Sequence, residues 1–312
     1  MRTSRLALCL LVIGLIAPSV LYPIFLMKAL CFALFAASFN LLVGQVGLLS
    51  FGHAMFFGSA GYVCAYLVKE VGWPTEAGIL AGTLCAAVMG LIAGAVAIRR
   101  QGIYFAMVTL ALSQMVYFYC LQTPLTGGED GIQSVPRRPL LGSISIADDL
   151  SLYFFVLAVF LVGFLALHRI AHSPFGQILT AIRENEARAI SLGYSVERYK
   201  LCAFVISATI AGLAGSTKVL VFQLASLIDV HWHTSGEVVL MTLIGGMGTV
   251  LGPVVGAFIV TALESYLSSF GQWILVIQGL VFMFVVLVFR RGVVGEGLAW
   301  YRRRTRLSAS AR

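Results

Sequence analysis

HSPFGQILTAIRENEARAISLGYSVERYK, residues 172–200, is a polar stretch between two long apolar runs. Backbone this polar does not lie in lipid, so the stretch is a loop at one membrane face. Ser173 suits an N-cap, Pro174 suits the first helical position, and Gly193 suits the left-handed residue that closes a helix. Between these caps Ile178, Leu179, Ile182, Ala189 and Ile190 are apolar, while Arg183, Glu184, Glu186 and Arg188 are charged. The spacing predicts a helix over 174–192. A helix this short is marginal alone and is ordered by docking. One side rests on the membrane domain and the other is free to enter a groove on a soluble partner. That points to a transporter driven by a separate motor, although a solvated interfacial helix without a partner fits the same residues.

Composition sets the class. The 312 residues are 60% hydrophobic and 11% charged, with mean hydropathy +0.96. Soluble domains average about a quarter charged residues, so an all-α polytopic membrane protein is expected. Each crossing takes about 20 apolar residues. Ten candidate spans fall near 6–22, 24–43, 47–68, 76–98, 102–121, 150–167, 200–221, 235–250, 252–268 and 271–289. Their divisions are least defined over 1–45 and 235–268. No room is left for a soluble catalytic domain. The chain reads as one transmembrane domain over 1–312, with a loop at about 168–200 on one face, a loop at about 122–149 on the other, and a basic tail over 290–312.

A net charge of +8 in a soluble protein would suggest nucleic acid. Here the positive-inside rule accounts for it, and no nucleic-acid partner is expected. With both termini in the cytoplasm, Lys28, Lys69, Arg137, Arg138 and Lys218 fall outside, and the other sixteen Lys and Arg fall inside. The reversed orientation would invert that ratio. The tail segment Tyr301-Arg302-Arg303-Arg304 suits anionic membrane lipid as well as a plain stop-transfer anchor. Glu264, Lys218 and Lys28 lie within apolar runs near the outer interface, where long side chains snorkel.

The remaining signals are structural in tone. All six cysteines lie in or beside apolar spans without metal-site spacing, so they read as small core residues. The N-terminus has the charge-then-apolar form of a secretory signal, but Pro18 behind Ala17 spoils the cleavage site, and an uncleaved first span is expected. Gly and Pro make the 122–149 loop a chain of turns. Trp73, Trp232 and Trp273 fall near span ends, as interfacial aromatics do.

Two apolar stretches are rich in Gly. One runs from Gly44 through Gly47, Gly52 and Gly58 to Gly61, the other from Gly236 through Gly245, Gly246, Gly248 and Gly252 to Gly256. They fall third in each half of a five-plus-five division, and halves of five spans are inverted relative to each other. Such paired interruptions point to a transport path, and equally to close packing through small residues. The polar residues inside spans are Asn40, Gln45, Ser50, His53, Thr109, Ser113 and Gln114. Such side chains face a bundle interior or a water-filled path. Being uncharged, they suit a path for a neutral or zwitterionic solute, though they also serve as interhelical glue.

At the polar loop the chain resembles a known family. Glu186-Ala187-Arg188-Ala189-Ile190-Ser191-Leu192-Gly193 looks like the cytoplasmic EAA loop of ABC importer permeases. It departs from that pattern in two ways: Gly193 lies seven residues after Glu186 rather than six, and Arg188 replaces the second Ala. The longer run is more specific. Ala181-Ile182-Arg183-Glu184-Asn185-Glu186, with Tyr199-Lys200-Leu201-Cys202-Ala203-Phe204 and Ala211-Gly212-Leu213-Ala214-Gly215, is similar to the LivM-type permeases of branched-chain amino acid importers. Further matches are Asn40 to Gln45 with Ser50 to Ala54, Gly102 to Leu110, Thr126 to Ile132, and Gly245 to Pro253. The first 25 residues and the tail after Arg291 carry little of the resemblance.

The resemblance implies a binding-protein-dependent importer in the bacterial inner membrane. Its expected partners are a second permease subunit (LivH-type), two cytoplasmic ATPase subunits that hold ATP and Mg, and a periplasmic solute-binding protein. It implies that Arg183, Glu184, Glu186, Ala187 and Gly193 couple this chain to the ATPases. The sequence has no G-x-x-x-x-G-K-[ST] phosphate loop, so ATP hydrolysis is expected on the partners, with no cofactor, metal or catalytic residue in this chain.

Other readings stay open on sequence alone. An ATP-independent carrier or channel would need coupling carboxylates or a selectivity filter, and neither is evident. An intramembrane enzyme would draw on His53, His168, His172, His231 and His233, but no G-x-S-x-G or H-E-x-x-H pattern occurs. His231-Trp232-His233 with Asp229 nearby is a conceivable metal site. Within the importer reading, urea, short amides and other amino acids compete with branched-chain amino acids as the solute.

Overall fold

Apolar segments in lipid must satisfy their own backbone groups, and the helix does so within one segment. The computed structural model describes residues 3–19, 21–139, 146, 148–267, 273–288 and 292–296, and it is predominantly helical. The helices are α1 (Thr3–Ile16), α2 (Pro23–Asn40), α3 (His53–Tyr66), α4 (Thr75–Ala97), α5 (Ile103–Gln122), α6 (Asp149–Ala171), α7 (Pro174–Glu184), α8 (Glu186–Ser191), α9 (Val196–Phe222), α10 (Trp232–Gly245), α11 (Gly252–Leu267) and α12 (Ile274–Val288). Among the described residues one small sheet occurs, pairing Ile132–Gln133 antiparallel with Leu224–Ala225.

Each of the ten expected spans coincides with a helix, α1 to α6 and α9 to α12. Their lengths differ. Pro23–Val46, Thr75–Ala97, Ile103–Gln122, Asp149–Ala171 and Val196–Phe222 are long and apolar enough to cross a membrane alone. α2 reaches that length through a π-helical extension over Leu41–Val46, and α3 continues likewise over Leu67–Val71. α10 has 14 residues and α11 has 16. At about 1.5 Å per residue neither matches a hydrocarbon layer of about 30 Å. They pack against each other and against α2, and the loop 246–251 between them is held by protein rather than left in lipid.

The contacts define two ends of the bundle. At one end lie the C-terminal end of α2, the loop after Ala97, α7 and α8, and the 246–251 loop, joined by Gln101–Glu186, Arg183–Gly44 and Asn40–Thr249 hydrogen bonds. At the other end lie the turn at Gly72, the 123–139 loop and the 223–231 segment. There Arg138 Nη1 donates to Gly72 O at 2.8 Å, and Arg137 Nη2 donates to Val221 O at 2.8 Å. The ten helices therefore alternate in direction. α3 starts at the first end and α10 runs towards it, so the two Gly-rich helices point in opposite senses. The basic tail 290–312 lies outside the described residues apart from 292–296, as do residues 140–145 and 147 of the opposite loop.

α9 is the central post, packed on α2, α3, α4 and α6. Small residues allow the close approach. A Cβ on Gly215 would run into the Phe57 carbonyl, and Ser216 Oγ donates to Ala60 O at 3.2 Å. Small residues at such contacts are how membrane helices pack without a hydrophobic driving force. Around this post Phe35, Phe39, Phe56, Phe57 and Phe204 fill the interior.

Two part-buried ion pairs lie between the helices and their neighbouring segments. Lys28 Nζ on α2 meets Glu264 Oε2 on α11 at 3.1 Å. Lys218 Nζ on α9 meets Asp229 Oδ1 at 2.5 Å. Lys28, Glu264 and Lys218, read from the sequence as interfacial, each have a counter-ion on a neighbouring segment, which reduces the cost of an isolated charge.

The polar loop also departs from expectation. It holds two helices where one was expected. Asn185 adopts extended backbone (φ −157°, ψ 97°), ends α7, and caps α8 by accepting from the Arg188 amide at 2.9 Å. Asn competes for backbone partners in this way, which favours caps over helix interiors. The flanking signals behave as read: Ser173 Oγ accepts from Gly176 N, and Gly193 sits at φ +86°.

Candidate functional site

α7 and α8 form a layer across one end of the bundle. α7 buries Leu179 and Ile182. α8 buries Ala189, which packs with Ile182 and Val196. The layer is pinned by polar contacts. Glu186 Oε1 accepts from Lys200 Nζ at 2.8 Å and from Gln101 Nε2 at 3.1 Å, tying α8 to α9 and to the loop before α5. The Lys200 side chain is 6% exposed, so this pair is largely withdrawn from water. Thr180 Oγ1 meets Gln45 Oε1 at 2.9 Å, tying α7 to the π-helical end of α2.

The five residues expected to couple to a partner divide by their contacts. Glu186 and Arg183 bond to the bundle, Glu186 from a partly buried position and Arg183 from an exposed one, its Nη1 donating to Gly44 O. Glu184, Ala187 and Gly193 are exposed on the outer side of the layer, and a Cβ on Gly193 would meet nothing. Beside them stand Ile190, 58% exposed, and Leu192, 70% exposed. Sequence reading gave no role to Leu192, Lys200, Gln101 or Thr180. Leu192 carried a signal, as a large apolar residue beside the left-handed Gly193 on a polar loop; the inward-facing three carried none without a fold.

An open cleft of about 500 Å³ runs under this layer, lined by Val46, Gly47, Gln101, Arg183, Glu186 and Lys200 among others. Beside it the two Gly-rich stretches meet. Asn40 Nδ2 donates to Thr249 O at 3.0 Å, and Asn40 Oδ1 accepts from Gly248 N at 3.0 Å. A Cβ on Gly44 would stand 3.0 Å from Gly248 Cα.

The polar residues of the spans do not form one row. Asn40 and Gln45 lie at the same end of the bundle as the cleft, in the contacts just given, beside a separate small cavity that they line with Gly248 and Thr249. His53 is sealed among Phe39, Phe56 and Phe204, with ring centroids 5.2, 5.6 and 6.2 Å away. Its Nε2 lies 2.8 Å from Ser207 Oγ, which in turn donates to Ser38 O at 2.6 Å. The Ser207 proton is thus committed, so His53 Nε2 is the donor in its hydrogen bond to the Ser207 hydroxyl. Ser50 Oγ accepts from Gly52 N at 3.3 Å. Thr109 Oγ1 accepts from Phe51 N at 3.2 Å and donates to Ala106 O at 2.9 Å, linking α5 to the segment before α3. Ser113 is buried on the same helix, and its Oγ has no hydrogen-bond partner among the described residues. Gln114 beside it is partly exposed.

At the opposite end, Tyr117, Glu129, Ser226, Ile228, His231 and His233 line an open cleft of about 590 Å³. Burial and the neighbouring His233 hold the His231 imidazole below its ordinary pKa, so it is neutral near pH 7. Asp229 is engaged by Lys218, and His233 Nδ1 lies 3.2 Å from Glu237 Oε1. His231 Nδ1 accepts from the His233 amide at 3.3 Å, so the three side chains of the conceivable metal site turn to different partners, and no group of three or more His, Cys, Asp or Glu suited to a metal occurs among the described residues.

Comparison with known proteins places this architecture. Residues 22–289 match the family model described as branched-chain amino acid transport system / permease component. The high-affinity branched-chain amino acid transport system permease protein LivM of Escherichia coli (strain K12) is 28% identical over 77% of this chain and 62% of its own length. The autoinducer 2 import system permease protein LsrC of Klebsiella pneumoniae is 28% identical over 73% of this chain and 65% of its own. The fructose import permease protein FruG of Bifidobacterium longum is 29% identical over 51% and 48%. The chain therefore spans under two thirds of the length of each. No solved structure matches.

Proposed function

We propose, from the premise that this chain belongs to the family of branched-chain amino acid transport system permease components, that it is the membrane permease subunit of an ATP-driven importer for branched-chain or related amino acids. It is a multi-pass membrane protein and a transport component. In this reading it lies in the bacterial inner membrane with both termini cytoplasmic. It pairs with a second permease of the LivH type, receives solute from a periplasmic binding protein, and is driven by two cytoplasmic ATPase subunits that bind ATP and Mg.

One observation carries the reading. α8 is pinned from behind by Glu186, Lys200 and Gln101, while its Ile190 and the Leu192 that caps its C-terminus are exposed. A rigid helix with exposed apolar anchors at a polar membrane face suits insertion into a groove of a soluble partner. The alternating helices and the neutral polar side chains of α5, Thr109, Ser113 and Gln114, support a path for a zwitterionic or neutral solute.

The test is purification of the tagged chain from its native membrane in mild detergent, with bound proteins identified by mass, followed by uptake assays. Recovery of two ATPases and a second permease is expected, with ATP-dependent uptake of leucine, isoleucine or valine. Uptake of fructose or urea in their place would redirect the solute. Recovery of the chain alone, with and without nucleotide, would overturn the importer reading.

A further inference from the structure

The layer formed by α7 and α8 meets the bundle at several points, on α9 and Gln101 through Glu186 and on the π-helical end of α2 through Thr180 and Arg183. The Arg183 guanidinium donates to the Gly44 carbonyl. Its aliphatic stem covers Gly47, where an added Cβ would lie 3.1 Å from Arg183 Cγ. A Cβ on Gly248 would lie 3.9 Å from Arg183 Nη1. Gly44 and Gly47 belong to the first Gly-rich stretch and Gly248 to the second. The two stretches are also clamped directly through Asn40.

The local backbone is suited to movement at these points. Leu41–Val46 is π-helical, a geometry common at functional breaks in helices. Gly47, Gly246 and Gly248 all adopt positive φ, at +80°, +114° and +76°. The breaks lie at the ends of α2 and α3 on one side and of α10 and α11 on the other. Contacts thus run without a gap from α7 through Arg183 to Gly44, and from Asn40, one turn earlier on α2, to the 246–251 loop.

We infer that Arg183 is the positioning residue that transmits motion of the α7–α8 layer to both Gly-rich breaks at once, so that the inner ends of the two helix pairs, α2–α3 and α10–α11, shift together when the motor acts. This rests on the permease reading above. It assigns Arg183 a task distinct from docking: it holds the bundle, while Ile190 and Leu192 face the partner.

The experiment uses the complete complex, reconstituted in proteoliposomes, with wild type, Arg183→Gln and Arg183→Lys. Arg183→Gln keeps a polar side chain but shortens the reach to Gly44. It is expected to retain bound ATPases and ATP hydrolysis while solute imported per ATP falls by about tenfold, within the usual range of coupling between distant sites. Arg183→Lys, which still offers a long cationic donor, is expected to recover part of that ratio. In parallel, amide hydrogen exchange of the 246–251 loop is measured on the purified chain; Arg183→Gln is expected to speed exchange at Gly248. An unchanged import ratio with unchanged exchange overturns the proposal, as does loss of ATPase binding with normal exchange, which would make Arg183 a docking residue. If Arg183→Gln does not assemble, Gly44→Ala tests the same junction by wedging Gly44 from Gly248 with Arg183 intact; an unaltered ratio there also overturns it. Failure of the permease reading is told apart by wild type, which would then neither bind ATPases nor import, while the exchange measurement still reads the Arg183 link.

Discussion

Lys200 Nζ stands 2.8 Å from Glu186 Oε1, and Gln101 Nε2 donates to the same oxygen at 3.1 Å. This fixes a six-residue helix that has little stability of its own. Lys200→Met removes the charged donor and leaves the carboxylate with one amide. A hydrogen bond to a charged group contributes about 1.5–3 kcal/mol, and the partial exposure of Glu186 puts the expected loss at the low end. The loosened α8 is expected to show in limited trypsin digestion, with faster cleavage at Arg188 and an intact bundle. Equal cleavage rates in wild type and variant would count against the strut.

Ile190 and Leu192 are exposed, so polar replacements there remove no packing within the chain. Leu192→Asp is expected to leave expression and thermal unfolding in detergent unchanged while weakening ATPase retention. The loss of an apolar anchor from a docked interface is expected to cost about 2 kcal/mol, or roughly 30-fold in affinity. Binding measured against the purified ATPases checks it; unaltered affinity would remove Leu192 from the interface.

Asn40 uses its amide in both senses, donating to Thr249 O and accepting from Gly248 N. Asn40→Asp keeps the acceptor but places a carboxylate against a carbonyl. It is therefore expected to be worse than Asn40→Ala, which loses both bonds at about 1 kcal/mol each. The order of unfolding midpoints in one detergent, wild type above Ala above Asp, is the readout. Asp equal to wild type would mean that the clamp is not formed.

Gly215 faces the Phe57 backbone so closely that no Cβ fits. Gly215→Ala is expected to push α9 from α3 at an overpacking cost of about 1–3 kcal/mol. Lower yield of the folded chain and a lower unfolding midpoint check it. A normal midpoint would show that the two helices adjust without penalty.

The helices were legible because lipid imposes one rule on every span, and runs such as 102–121 or 200–221 satisfy it locally. The caps of the polar loop were legible for the same reason, since Ser173 and Gly193 act within one turn. The break at Asn185 was not, because an Asn between two Glu reads as ordinary helix surface until its side chain finds the Arg188 amide. The polar residues of the spans share a composition but not a place. His53 and Ser207 lie 154 positions apart, so their hydrogen bond leaves no mark on either local sequence. The bonds of Arg183 and Glu186 to the bundle likewise depend on Gly44 and Lys200, which local spacing does not connect to them.

The pairing of Lys28 with Glu264 has a consequence for how the chain is made. The partners are 236 residues apart, and ribosomes add about 5–20 residues per second. Roughly 10–50 s therefore separate the emergence of the lysine from that of its counter-ion. During that interval α2 must sit in the bilayer with an uncompensated ammonium, held at the headgroup level by its long stem. Closure of the bundle around α2 thus waits for the last quarter of the chain, and a nascent protein halted before α11 would carry a cationic flag at the membrane surface, distinguishing it from the finished molecule.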